Sequence, residues 1–147
     1  MKPSDLATAA FALQKGYSLV LVKNGILIAT KRGKGISPLL ELIEESTDLD
    51  GAYLGDKVFG RAAALLAIYA GFTGVYARVI SKSALAFLQG RHLKVAYGRQ
   101  VDTILNREGT GSCPMEKLTT TINSPREAIT RIKMKLLELK QLGLDQG

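Results

Sequence analysis

Residues 56–70 are apolar on almost every side: Val58, Phe59, Ala62, Ala63, Ala64, Leu65, Leu66 and Ile68 leave no broad polar face for water. A helix of that kind has to be covered all round. The chain is therefore expected to fold in layers, with a helix over 56–70 inside and its polar residues, Asp56, Lys57 and Arg61, gathered at its start. The apolar run 62–72 is too short to cross a bilayer, so it reads as a buried helix and no membrane partner is expected.

The segments around it alternate in type. Ser4 can cap a helix with Leu6, Ala10 and Leu13 on one face, ending near Gly16. Residues 18–22 and 26–30 are β-branched and leucine-rich runs separated by Asn24-Gly25, whose residues both tolerate positive φ, and this predicts a hairpin. Ser37-Pro38 opens a helix to about residue 46. A short strand over 51–54, a strand over 75–80, a helix over 83–89 and a strand over 93–97 follow, an order that favours parallel pairing with helical crossovers. Residues 101–105 read as one helical turn. Ser124-Pro125-Arg126-Glu127 has the form of a capping box with proline at the first helical position, and it opens a C-terminal amphipathic helix over 124–142. The length of 147 residues suits a single domain over 1–147, with residues 1–16 as its N-terminal helix.

One cysteine and one histidine supply neither an intramolecular disulfide nor a zinc cage of the usual Cys/His kind, so no metal is expected. The first residues carry no secretory signal, and the expected location is cytoplasmic. The net charge of +7 lies almost wholly in the second half, with 8 basic against 7 acidic residues before Thr73 and 12 against 6 after it. Such a balance favours an anionic partner and predicts weak, salt-sensitive, non-specific affinity for nucleic acid. No stacking platform or nucleic-acid recognition motif accompanies it.

Three groups of residues can carry chemistry. Asp56, Lys57 and Arg61 lie at the expected mouth of the apolar helix, where unpaired N–H groups favour an anion and Asp56 can serve as cap or base. Lys31-Arg32-Gly33-Lys34-Gly35 interleaves cations with glycines before a helix start, an arrangement suited to cradling phosphate, although it lacks the Walker pattern. Asn106-Arg107-Glu108-Gly109-Thr110-Gly111-Ser112-Cys113-Pro114-Met115-Glu116-Lys117 is a polar glycine-rich loop running into a helix start, with the Cys113 thiol where a helix terminus favours thiolate. His92, which lies after Gly90-Arg91, is expected at the surface.

Taken in order, the hairpin around Asn24-Gly25, Gly33-Lys34-Gly35-Ile36-Ser37-Pro38, Asp56-Lys57-Val58-Phe59-Gly60-Arg61-Ala62-Ala63-Ala64 and the Gly-Thr-Gly-Ser-Cys-Pro-Met-Glu-Lys segment resemble a small prokaryotic family of uncharacterised proteins with a cytidine-deaminase-like fold. The likeness spans residues 18–132. It implies an α/β fold, a three-layer α/β/α sandwich on a mixed sheet with an N-terminal β-hairpin. Working deaminases hold zinc through a His or Cys at one helix start, with a glutamate two residues on, and through two cysteines at the next. The corresponding segments, Asp56-Lys57-Val58 and Ser81-Lys82-Ser83-Ala84, have none of these, so the resemblance implies no zinc and no cofactor.

The expected function is that of a metal-free deaminase-like domain that binds, and could modify, a small anionic ligand of nucleotide type. Asp56, Lys57 and Cys113 are the candidate catalytic residues. Lys31, Gly33, Gly35, Arg61, Asn106, Arg107, Gly109, Thr110, Gly111, Ser112 and Glu116 are the candidate binding residues. The alternative is a non-catalytic regulatory or nucleic-acid-associated module, a homodimer through its closing helix, acting through Lys133, Lys135 and Lys140.

Overall fold

The computed structural model describes residues 4–46, 48–106 and 108–143. Arg107, one of the candidate binding residues, lies outside them. Five strands form one mixed sheet in the order β2-β1-β3-β4-β5, with β1 Leu19–Lys23, β2 Ile26–Lys31, β3 Tyr53–Phe59, β4 Gly74–Ser81 and β5 Lys94–Val101. β1 runs antiparallel to both β2 and β3, while β3, β4 and β5 are mutually parallel. The helices are α1 Asp5–Leu13, α2 Ser37–Glu45, α3 Arg61–Ala70, α4 Lys82–Leu88, α5 Pro114–Thr119 and α6 Pro125–Gln141.

Strand alternation sorts the core onto two faces. In β1, Val20 and Val22 pack with Ala9, Ala12 and Leu13 of α1, whereas Leu19 and Leu21 face the larger core formed with α2 to α6. At the tip of the β1–β2 hairpin Asn24 and Gly25 both have positive φ, 53° and 76°, which gives a two-residue turn the twist its strands need. The Gly25 N–H donates to Asp5 Oδ1 at 2.9 Å and so ties the turn to the start of α1. Because β3, β4 and β5 are parallel, α3 and α4 must return over the sheet, and both pack on the face opposite α1. α3 contacts α2, α4, α5, α6 and β3. Its residues 62–67 are all buried, four of them alanines that admit close neighbours. Among the described residues no helix is long and apolar enough to cross a membrane.

Three local expectations are corrected. The buried helix begins at Arg61 and not at Asp56, because residues 53–59 form the central strand, with ladder partners on both sides: Asp56 pairs Leu19 in β1 and Ala77 in β4. Satisfying the backbone of Asp56, Lys57 and Val58 between two strands outweighs a local helical pattern. Residues 101–105 form no helical turn; β5 continues to Val101 and Leu105 bridges Ser112. The N-cap of α2 is Ile36, one residue before Ser37.

Gly55 is where α1 lies closest to the sheet. A Cβ there would stand 2.7 Å from Val20 Cγ2 and 3.1 Å from Ala9 Cβ. Gly55→Ala is expected to lower stability by about 1–3 kcal/mol through overpacking, seen as a lower urea midpoint with an unchanged slope.

Candidate functional site

A cavity of about 430 Å³ opens at the carboxyl end of β3. Its walls come from four places: Ser18 with Gly33, Lys34, Gly35 and Ile36; Asp56, Lys57 and Val58 of β3; Gly60, Ala62 and Ala63 at the start of α3; and Ile104, Leu105, Asn106, Cys113, Met115 and Glu116. Open α/β sheets place ligands outside the carboxyl ends of their strands.

The wall nearest α3 is fixed by an exchange of caps. α3 starts after Gly60, which has no side chain to cap it. The carboxylate of Glu116 does so from α5, its Oε2 accepting from the Arg61 N–H at 2.8 Å. Further hydrogen bonds reach that carboxylate from the Ala62 N–H and the Ser81 hydroxyl. A Cβ on Gly60 would collide with the Glu116 carboxylate, so only glycine leaves room for this cap. Arg61 returns the service: its Nε donates to Thr119 O at 2.7 Å and its Nη2 to Ile122 O and Asn123 Oδ1, each at 2.7 Å. Its guanidinium lies 5.0 Å from the centre of the Phe87 ring. Burial pushes the Glu116 carboxyl above the usual range, against the pull of the Arg61 N–H, the Ser81 hydroxyl, the Ala62 N–H and the Arg61 charge.

Asp56 stands on the α3 face of the sheet, since its neighbour Gly55 packs against α1 on the other. It keeps part of its surface open to the cavity. The protein packed around it strips water from the carboxyl and pushes its pKa up to about 8, although the N–H groups of Val58 and Lys57 pull it down. At neutral pH Asp56 is therefore mostly a neutral acid, able to donate as well as accept.

The loop before α2 is held by Ser18, whose hydroxyl donates to Gly33 O at 2.6 Å and accepts from Gly33 N at 3.1 Å. Gly33 and Gly35 have positive φ, 146° and 72°, and carry the exposed Lys34 to the cavity edge. Ile36, the N-cap of α2, offers no side-chain acceptor, so the first N–H groups of that helix remain open to other partners. On the opposite wall Asn106 closes a tight turn: its Oδ1 accepts from Thr110 N at 3.1 Å and its own N–H donates to Gly111 O at 2.8 Å.

Several candidate residues thus meet in one cavity: Asp56, Lys57, Cys113, Gly33, Gly35, Asn106 and Glu116. Others lie elsewhere. Lys31 is paired with Glu45 at 2.9 Å and Glu41 at 3.7 Å, away from the lining. Arg61 is spent on α5 and the Ile122-Asn123 turn and is not free for a ligand. Gly109, Thr110, Gly111 and Ser112 build the turn that carries Asn106 and do not line the cavity. Asp56 is no helix cap, being a strand residue. His92 is exposed and outside the lining. Ser18, Ile104 and Leu105 escaped the sequence reading, while Lys34 and Gly60 stood in its motifs without being candidate site residues; Lys34, between two glycines, carried the readable signal.

Fold and cavity together define a mixed α/β protein with a ligand-sized pocket where α3 begins. A family model for a domain of unknown function, DUF1893, matches residues 9–136, and the chain belongs to that family. The crystal structure of a DUF1893 family protein from Thermotoga maritima is similar, with 27% sequence identity and a TM-score of 0.82 over 90% of this chain and 91% of that one. None of the curated proteins matches the chain in sequence.

Glu116→Ala is expected to cost about 1–3 kcal/mol, because it leaves N–H groups at the buried start of α3 without acceptors, with Glu116→Gln falling between; chemical denaturation measures both. Asp56 sets a pH trend. Folded Asp56 holds a proton up to about pH 8 that the unfolded chain releases near its ordinary value of 3.8. The folded state therefore binds more protons in that window, and stability falls as pH rises through it, by about 1.4 kcal/mol per pH unit at most. Thermal melts from pH 5 to 8 should show this fall, and Asp56→Asn should flatten it.

Proposed function

We propose that the chain is a metal-free protein of cytidine-deaminase-like fold, a three-layer α/β/α sandwich, that binds a small anionic ligand of nucleotide type in this cavity. The observation that carries the reading is the convergence of Lys34, Lys57, Asp56 and Cys113 on one cavity whose other walls are largely apolar. Its volume of about 430 Å³ suits a small organic ligand. Lys34 and Lys57 supply positive charge, and the glycine-flanked loop and the start of α2 offer N–H groups to phosphate oxygens. Ile36, Ala62, Ala63 and Met115 offer apolar surface to a ring. Cys113, the half-buried N-cap of α5, is the candidate nucleophile. A cytoplasmic, reducing setting belongs to this reading because it keeps the single thiol free.

The strand order and the placing of α3 and α4 after successive parallel strands support the deaminase-like assignment. The residues do not fit a deaminase zinc. α3 opens Arg61-Ala62-Ala63, α4 opens after Ser81 with Lys82-Ser83-Ala84, and the Glu116 carboxylate is committed to N–H groups and the Ser81 hydroxyl. Among the described residues no group of three His, Cys, Asp or Glu side chains is placed to hold a metal ion. On α6, Lys133 is paired with Glu44 at 3.2 Å and Lys135 with Glu138 at 3.3 Å, which weakens the case for a nucleic-acid face there and favours the cavity.

Lys34→Ala and Lys57→Ala should each weaken binding of ribose 5-phosphate or a nucleoside 5′-monophosphate at least fivefold, measured calorimetrically, with melting temperature nearly unchanged. Lys31→Ala should leave binding as it was. Equal loss in all three variants, or no binding by the wild type at millimolar ligand, overturns the reading.

A further inference from the structure

We propose that Asp56 is the residue that reads the ring of the bound nucleotide, pairing as donor and acceptor with an edge that carries an adjacent acceptor and donor, the amidine or lactam edge of a neutral heterocycle. This rests on the cavity being a nucleotide site.

The placement carries the argument. Asp56 lies in the central strand of the sheet, on the face that looks to α3, where the lining contributed by neighbouring elements is mainly small or apolar: Ala62 and Ala63 from α3, Met115 from α5, Ile36 from the loop before α2. Its strand partners on either side, Leu19 of β1 and Ala77 of β4, are apolar as well. Val58 and Leu105, both more than half exposed, give the cavity an apolar rim that suits the faces of a ring.

The charged and titratable groups around it are otherwise engaged or suited to phosphate. The Glu116 carboxylate is taken by the Arg61 and Ala62 N–H groups and the Ser81 hydroxyl. The Arg61 guanidinium is held by Thr119 O, Ile122 O and Asn123. Lys34 and Lys57 are cations matched to an anion, and Cys113 has a weak donor. Asp56 is thus the strong neutral hydrogen-bonding group left for a heterocycle. The Lys57 N–H beside it is taken by Ser18 O at 3.2 Å, which leaves both the O–H and the C=O of the Asp56 carboxyl for a ligand. A protonated carboxyl presents O–H beside C=O, and this matches the N and amino group of an amidine or the C=O and N–H of a lactam in two parallel hydrogen bonds. A carboxylate, which only accepts, cannot make that pair. A carboxamide can, so Asp56→Asn keeps the recognition and removes its titration.

The test uses the 5′-monophosphates of adenosine and uridine, with ribose 5-phosphate as the ligand lacking a ring, titrated calorimetrically against the whole protein. At pH 7 at least one nucleotide should bind at least fivefold more tightly than ribose 5-phosphate. From pH 7 to 9 the affinity of that nucleotide should fall about tenfold as the protonated fraction of Asp56 declines from its pKa of about 8. Ribose 5-phosphate should not show the fall. Asp56→Asn should keep nucleotide affinity within about threefold at pH 7 and lose the Asp56-dependent fall. Asp56→Ala should bind the nucleotide no more tightly than ribose 5-phosphate at either pH. Equal binding of nucleotide and ribose 5-phosphate by the wild type overturns this inference while leaving the anion site standing, and so does a nucleotide affinity that Asp56→Asn abolishes in a folded protein. Binding of none of the three ligands overturns both.

Discussion

The start of α3 is the point on which the rest of the structure depends. Residues 62–67 of the helix are buried, and its N-cap Gly60 has no side chain to accept from the N–H groups of the first turn. Unpaired buried N–H groups are costly, and a cap from outside the helix is the available remedy. Glu116 supplies it, and this fixes three other features. Residue 60 has to be glycine to make room for the carboxylate. α5 has to lie beside α3, which presses Met115 into the core at 2% exposure. Cys113, Met115 and Glu116 thereby join a wall of the cavity with Ile104, Leu105 and Asn106. The return contacts of Arg61 to Thr119 O and Ile122 O hold the far end of α5, so neither element is placed independently of the other.

Local signals in the sequence carry a good part of the fold, for reasons visible in the structure. Asn24-Gly25 marks its turn because few other pairs accept two successive positive φ values. Ser124 heads α6 because its hydroxyl accepts from Glu127 N, a contact three residues away that needs nothing distant. The misreading of residues 56–60 has the opposite character. Asp56 to Val58 look helical when read with Ala62 to Ile68, but their conformation is decided by Leu19 and Ala77, which are 37 and 21 residues away in sequence. Nothing within a window of fifteen residues contains that information. The same holds for residues 101–105, where the competing partner is the later Ser112.

The site was legible as a set of segments and not as a set of roles. Glycine-marked loops and a Cys-Pro helix start point to Gly33, Gly35, Asn106, Cys113 and Glu116, and these residues do line one cavity. Charge was the poor guide. A lysine or arginine in a motif looks like an anion ligand whether it faces a cavity or a carboxylate of its own chain. Lys31 has Glu41 and Glu45 within 4 Å, and Arg61 has three oxygens at 2.7 Å. Those acceptors come from α2, the end of α5 and the turn after it, and no spacing rule in the sequence brings them to Lys31 and Arg61.

The shift of Asp56 from helix to strand changes what the cavity can do. As a helix cap, its carboxylate would have been stabilised by N–H groups of the first turn and would have stayed charged at neutral pH. In the central strand the surrounding protein takes away its water, and that desolvation outweighs the pull of the neighbouring Val58 and Lys57 N–H groups. The carboxylate at the helix start is Glu116, in contact with the polarised N–H groups of α3. One cavity thus holds two carboxyl groups in unlike surroundings, one committed to structure and one neutral and facing the space. Burial raises both carboxyls, but Glu116 is spent on the Arg61 N–H while Asp56 faces the cavity, and that difference separates a structural group from one available for chemistry. By that criterion Asp56, more than the lysines beside it, gives the cavity its chemical character.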